Sequence, residues 1–112
     1  MPLLKINTNR TVEATDAVLQ AASRAVAEML GKPERYVMVE LHADLPMSFA
    51  GTTEPLAYLE LKSIGLPEER TAEFSAALCR LIDEQLGIPA ERIYIEFSDA
   101  PRHLWGWNGA TF

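Results

Sequence analysis

Pro2 is the residue in this chain with the most unusual chemical potential. It directly follows Met1, and an initiator methionine is removed when the second residue is small. The product is a secondary amine at the head of an alternating segment, Leu3 to Asn7. Anchored at the end of a sheet, such an amine loses hydration, which disfavours its protonated form, and a nearby cation disfavours it further. An α-amino group starts near pKa ~7.7–8.0 and desolvation lowers an amine by up to ~3–5 units, so a neutral base at physiological pH is within reach. General-base proton transfer is the chemistry this points to. A proline at position 2 taken alone signifies only a start that tolerates processing.

Other reactive groups offer less. His42 and His103 lie far apart, one at a strand end and one in a loop, where lone histidines are ordinarily solvated, and no metal site is expected. There is no glycine-rich phosphate loop, no paired-cysteine ligand motif and no nucleophile elbow. Cys79 is the only cysteine and falls in an apolar helical pattern, where it reads as a small core residue without a disulfide partner. With 10 Lys plus Arg against 16 Asp plus Glu, the net charge of −6 disfavours nucleic acid and anionic membrane surfaces as partners. The start lacks a basic stretch followed by an apolar one, and no run reaches the ~18 apolar residues of a membrane span, so a cytoplasmic protein is expected.

The elements that must position these residues follow from periodicity. At 112 residues and 48% hydrophobic content the chain suits one domain, residues 1–112, with a real core. Leu3 to Asn7 reads as a strand. From about Glu13 to Leu30, apolar residues recur at helical spacing, and Gly31 and Pro33 stop the helix. Tyr36 to Leu41 alternates again. After a turn-rich loop, Ala43 to Pro55, the order repeats: a strand over Ala57 to Lys62, a helix from about Pro67 to Leu86 with Phe74, Leu78, Leu81 and Ile82 as its stripe, and a strand over Arg92 to Phe97. Leu30-Gly31-Lys32-Pro33 and Leu86-Gly87-Ile88-Pro89 each lead into a strand, which predicts an internal βαβ duplication.

Strand parity is the most informative pattern. Leu4, Ile6, Val37, Val39, Leu59, Leu61, Ile93 and Ile95 form an apolar face for two helices to cover. The opposite face carries Met38, Glu40, Tyr58, Glu60, Lys62, Tyr94 and Glu96, where large rings among charges call for another subunit.

Pro2 opening a strand, Asn7-Thr8-Asn9, Gly31-Lys32-Pro33 with Tyr36, Ser48-Phe49-Ala50-Gly51, Glu54-Pro55, Ser63-Ile64-Gly65, Arg92-Ile93-Tyr94-Ile95 and the closing Gly106-Trp107-Asn108-Gly109-Ala110-Thr111-Phe112 resemble, in order, the macrophage migration inhibitory factor family. The resemblance covers essentially the whole chain. It implies an α/β (α+β) fold of two βαβ repeats, a four-stranded mixed sheet with two helices on one face and short extra strands, assembled as a homotrimer with sites at subunit boundaries. It implies keto–enol tautomerisation of a small aromatic enol or α-keto acid, of the phenylpyruvate or dopachrome type, without a cofactor.

Carried over by position, Pro2 is the catalytic base and then the acid, and Lys32 binds the substrate carboxylate and holds down the proline pKa. Lys32 also suits the C-terminal end of the first helix, a contribution of ~0.3–1 kcal/mol. Ile64 offers its backbone and side chain to the pocket with Ser63 beside it, and Tyr94 and Glu96 come from a neighbouring subunit. Tyr36, Trp105, Trp107 and Phe112 supply apolar walls.

Departures from the family pattern bear on specificity. Glu96 stands in place of an asparagine, so a ring hydroxyl can donate to it while an anionic substituent near it is repelled. Lys62 replaces a histidine, and Trp105 replaces a smaller aliphatic residue and narrows the pocket. Leu56-Ala57-Tyr58-Leu59 replaces a Cys-x-x-Cys, which removes thiol–disulfide chemistry. The alternative reading is a cytokine-like signalling trimer with incidental tautomerase activity; animal members are secreted without a signal peptide. Another isomerase or a dehalogenase of the same superfamily is disfavoured because the expected site has no arginine.

Overall fold

A computed structural model describes all 112 residues. Its strands and helices alternate as the periodicity predicts: β1 (Leu3–Thr8), α1 (Thr15–Leu30), β2 (Met38–His42), β3 (Ala57–Ile64), α2 (Thr71–Leu86) and β4 (Ile93–Ala100), followed by the two-residue strands β5 (Gly106–Trp107) and β6 (Ala110–Thr111). The main sheet runs β2-β1-β3-β4. β1 is parallel to β2, β3 is parallel to β4, and the two halves meet antiparallel through β1 and β3. Each half is a βαβ unit with a 16-residue helix. Each helix ends on a left-handed glycine, Gly31 at φ 61° and Gly87 at φ 68°. A proline and a short 3₁₀ turn then redirect the chain into the next strand, over Glu34–Tyr36 in one half and Ala90–Arg92 in the other.

The strand parity is realised. Leu4, Ile6, Leu59 and Leu61 are fully buried, and Val18, Val26, Phe74, Leu78 and Ile82 from the helices close over them. Because β2 and β4 are edge strands, Val39, Leu41 and Ile95 are only half-buried. On the other face, Met38 and Tyr94 are 62% and 67% exposed. No helix is long and apolar enough to cross a membrane.

Several boundaries differ from the periodicity, for local reasons. Tyr36 and Val37 belong to the 3₁₀ turn and its end, so β2 starts only at Met38. Pro67 begins a separate 3₁₀ turn over Glu68–Arg70, and α2 proper starts at Thr71. β3 and β4 extend further than the alternating residues because they pair through Ile64 and Ala100. Cys79 is half-buried, with burial raising its thiol pKa, and packs against the core.

Candidate active site

β1 is a central strand, and its head is tied down on both sides. The carbonyl of Pro2 accepts a hydrogen bond from the Met38 amide at 3.0 Å, and the Pro2 ring is fully buried. Leu3 pairs with Lys62, so Pro2 sits beside Ser63 and Ile64 at the end of β3. The Met1 amine donates to the Tyr36 carbonyl at 3.1 Å. Burial first, and then the charge of Lys32, hold this amine below the usual α-amino range.

Lys32 follows the left-handed Gly31, which turns the chain off the end of α1. Its ammonium donates to the Ile64 carbonyl at 3.3 Å, and the buried Ser63 hydroxyl donates to the same oxygen at 3.3 Å. Pro2, Lys32, Ser63 and Ile64 therefore form one cluster at one end of the sheet, with the cation close enough to act on the terminal amine.

Beside this cluster is a cavity of about 310 Å³ lined by Met1, Pro2, Tyr36, Trp105, Trp107 and Phe112, with Arg35 and Met38 at its margin. The C-terminal hairpin of β5 and β6 builds the wall, and it is held in place when the Phe112 amide bonds to the Trp105 carbonyl at 3.1 Å. Trp107 stacks on Phe112 at 5.5 Å between centroids, and both rings meet Tyr36 edge-on, at 5.4 and 6.0 Å. Such offset and edge contacts are the favoured aromatic geometries. A cavity with aromatic walls beside the chain terminus suits an aromatic molecule.

Tyr94 and Glu96 are not brought to this cavity. The register aligns Tyr94 with Tyr58 and, through it, with Asn7, four residues along the sheet from Leu3. At ~3.3 Å per residue that is ~13 Å, added to a separation of two strands at ~4.8 Å each. One small molecule cannot span this within a single chain. Tyr94 instead lines a second cleft, of about 330 Å³, where it packs on Phe49 at 4.7 Å. Glu96 accepts a hydrogen bond from the Tyr58 hydroxyl at 3.3 Å. Partial burial, then the charges of Glu60 and Glu96, then that hydrogen bond raise the Tyr58 pKa, which keeps the donor protonated.

Two contributors were not legible in the sequence. Arg35 lines the Pro2 cavity, so an arginine is present there after all; nothing in its spacing set it apart from other exposed cations. Arg92 is a loop clamp, donating to the carbonyls of Pro55, Phe49, Thr52 and Glu54 at 3.0 to 3.4 Å and so holding Phe49 against Tyr94. A cation just ahead of a strand gave no sign of four carbonyl acceptors some forty residues away.

Comparison with known proteins agrees with this geometry. The family model for macrophage migration inhibitory factor matches residues 1–112. Among curated relatives, a macrophage migration inhibitory factor homolog from Trichinella spiralis is 40% identical, with all of both chains covered. Macrophage migration inhibitory factor from Xenopus laevis is 35% identical, covering 100% of this chain and 99% of the relative. Among solved structures, a macrophage migration inhibitory factor homologue from Prochlorococcus marinus is 51% identical with a TM-score of 0.93 over 98% of each chain. The Trichinella spiralis protein structure is 38% identical with a TM-score of 0.90, covering 98% of this chain and 99% of that one. With a family match along its full length and a tautomerase-superfamily fold, the chain belongs to the macrophage migration inhibitory factor family.

Proposed function

We propose that this chain is a keto–enol tautomerase acting on an aromatic enol or α-keto acid, with Pro2 as the proton shuttle once Met1 has been removed. The observation that carries the reading is the placement of Pro2: fully buried, at the head of a central strand, opening on an aromatic cavity, with the charge of Lys32 felt at the terminus. The surroundings that depress the Met1 amine act on the Pro2 nitrogen when it becomes the terminus. Its lone pair is then available near neutral pH.

Lys32 holds the substrate carboxylate, and the aromatic wall of Tyr36, Trp105 and Trp107 packs against the ring. The Pro2 nitrogen takes the proton from the enol hydroxyl as the carbonyl forms. The protonated nitrogen then returns that proton to the adjacent carbon, so one O–H bond is exchanged for one C–H bond and the enzyme ends unchanged. While Met1 remains attached, the Pro2 nitrogen is an amide with no basic lone pair, and the same fold is inert.

Three copies complete the site in this reading, each lending Tyr94 and Glu96 to a neighbour's cavity. The distance that separates Tyr94 from Pro2 within one chain supports that arrangement. Turnover of phenylenolpyruvate by the Met1-free protein and by Pro2→Gly tests the mechanism. Loss of at least ~100-fold in kcat/KM is expected, in line with the contribution of a general acid–base. Activity preserved in Pro2→Gly overturns the proposal.

A further inference from the structure

We infer that Arg35 is a second anion-binding group of the Pro2 cavity, and that the preferred substrate is an arylpyruvate-type enol acid carrying another carboxylate on its ring. The inference rests on the tautomerase reading for which end of the molecule reacts. Its own support is the placement of Arg35 at the cavity and its stacking on Tyr36.

This is an acidic chain, in which Lys5, Lys62 and Arg70 each have a carboxylate partner. Arg35 makes no ion pair, like six of the other Lys and Arg residues, and differs from all of them in lining the cavity. Its guanidinium lies 4.8 Å from the centroid of the Tyr36 ring, a stacking contact that holds the planar group against one wall. Lys32 is occupied differently. Its ammonium points to the Ile64 carbonyl and its charge acts on the terminus, so it serves the carboxylate next to the reacting carbon.

Arg35 is therefore a cation seated on an aromatic wall of the cavity, while Lys32 lies in the neighbouring cluster at the Ile64 carbonyl. A benzene ring with an acidic side chain at one position and a carboxylate at another presents an anion to each of these two cations. The guanidinium fork is suited to a carboxylate, being planar, permanently charged and more weakly hydrated than an ammonium. Arg35 itself is solvent-exposed, so the second carboxylate belongs at the cavity mouth. A neighbour's Glu96, where it contributes, disfavours an anion only at its own end of the ring.

Binding to the Met1-free protein tests this independently of turnover. Calorimetric titration with phenylacetate and with 3-carboxyphenylacetate is expected to show the dicarboxylate binding about 10-fold tighter, the scale of one charge-assisted hydrogen-bonded pair. In Arg35→Gln the ratio of the two affinities falls to near one, and Arg35→Lys recovers part of it. Equal affinities in the unaltered protein overturn the inference. So does a ratio that survives in Arg35→Gln, or a loss that weakens both ligands alike, which is what mere support of Tyr36 would produce. Turnover of phenylenolpyruvate by the same preparations reports separately on the tautomerase reading: failure there removes the reaction, whereas failure of the affinity ratio removes only the second carboxylate.

Discussion

In the proposed mechanism, proton transfer depends on which groups tune the Pro2 nitrogen. Burial and Lys32 both depress the Met1 amine, burial more strongly, and the proposed mechanism has them act likewise on Pro2. Lys32→Ala removes the smaller of these influences together with the proposed carboxylate ligand. The base pKa should then rise, so the acidic limb of the kcat/KM profile moves to higher pH, and the loss of activity should be greater at pH 6 than at pH 8. KM should rise by ~10-fold for the missing charge-assisted contact. A pH–rate series on the variant checks both, and an unmoved limb would mean that Lys32 does not tune the base. At this scale the sequence was informative where position itself carries chemistry. Pro2 could be singled out because only one residue can become the terminus. Lys32, Ser63 and Ile64 were reached by resemblance, and the structure gathers them around one carbonyl oxygen. Arg35 escaped because its place at the cavity depends on the C-terminal hairpin folding back beside Tyr36, a contact across some seventy residues.

The two βαβ units place that chemistry by means of their helix ends. Gly31 and Gly87 are both left-handed, and a Cβ added at either would meet nothing within 4 Å. Replacement by Ala is therefore purely a conformational penalty, ~1–2 kcal/mol, and should be similar at the two positions. Urea unfolding of Gly31→Ala and Gly87→Ala checks this. Only Gly31→Ala should also lower kcat/KM, because Lys32 is the next residue, whereas Ile88 after Gly87 is a buried core residue. Equal activity in the two variants would detach the αL turn from the site. Helical stripes and strand alternation made the order of elements and the buried face readable. Boundaries at Met38 and Thr71 were not, because the 3₁₀ turns before them are set by Pro33 and Pro67 and carry no periodicity of their own. The lengths of β3 and β4 reflect mutual pairing, which no single segment encodes.

For the whole molecule the open face of the sheet is decisive. It leaves Met38 and Tyr94 more than half exposed beside Glu40, Glu60 and Glu96, and it keeps Tyr94 too far from Pro2 to share a ligand within one chain. Sedimentation of the Met1-free protein at micromolar concentration should therefore give three times the chain mass, while a persistent monomer with full activity would show that the site needs no neighbour. Alternating parity revealed that the face had to be covered; three-fold symmetry came only from resemblance, since a strand pattern contains no symmetry operator. The central claim nevertheless concerns one atom in the assembled molecule. Titration of the Pro2 nitrogen by ¹⁵N NMR in the Met1-free protein tests it most directly. A pKa clearly below the ~7.7–8.0 of an ordinary α-amine is predicted, and a value within that range would contradict the account, leaving the nitrogen mostly protonated at neutral pH and unable to act as the base.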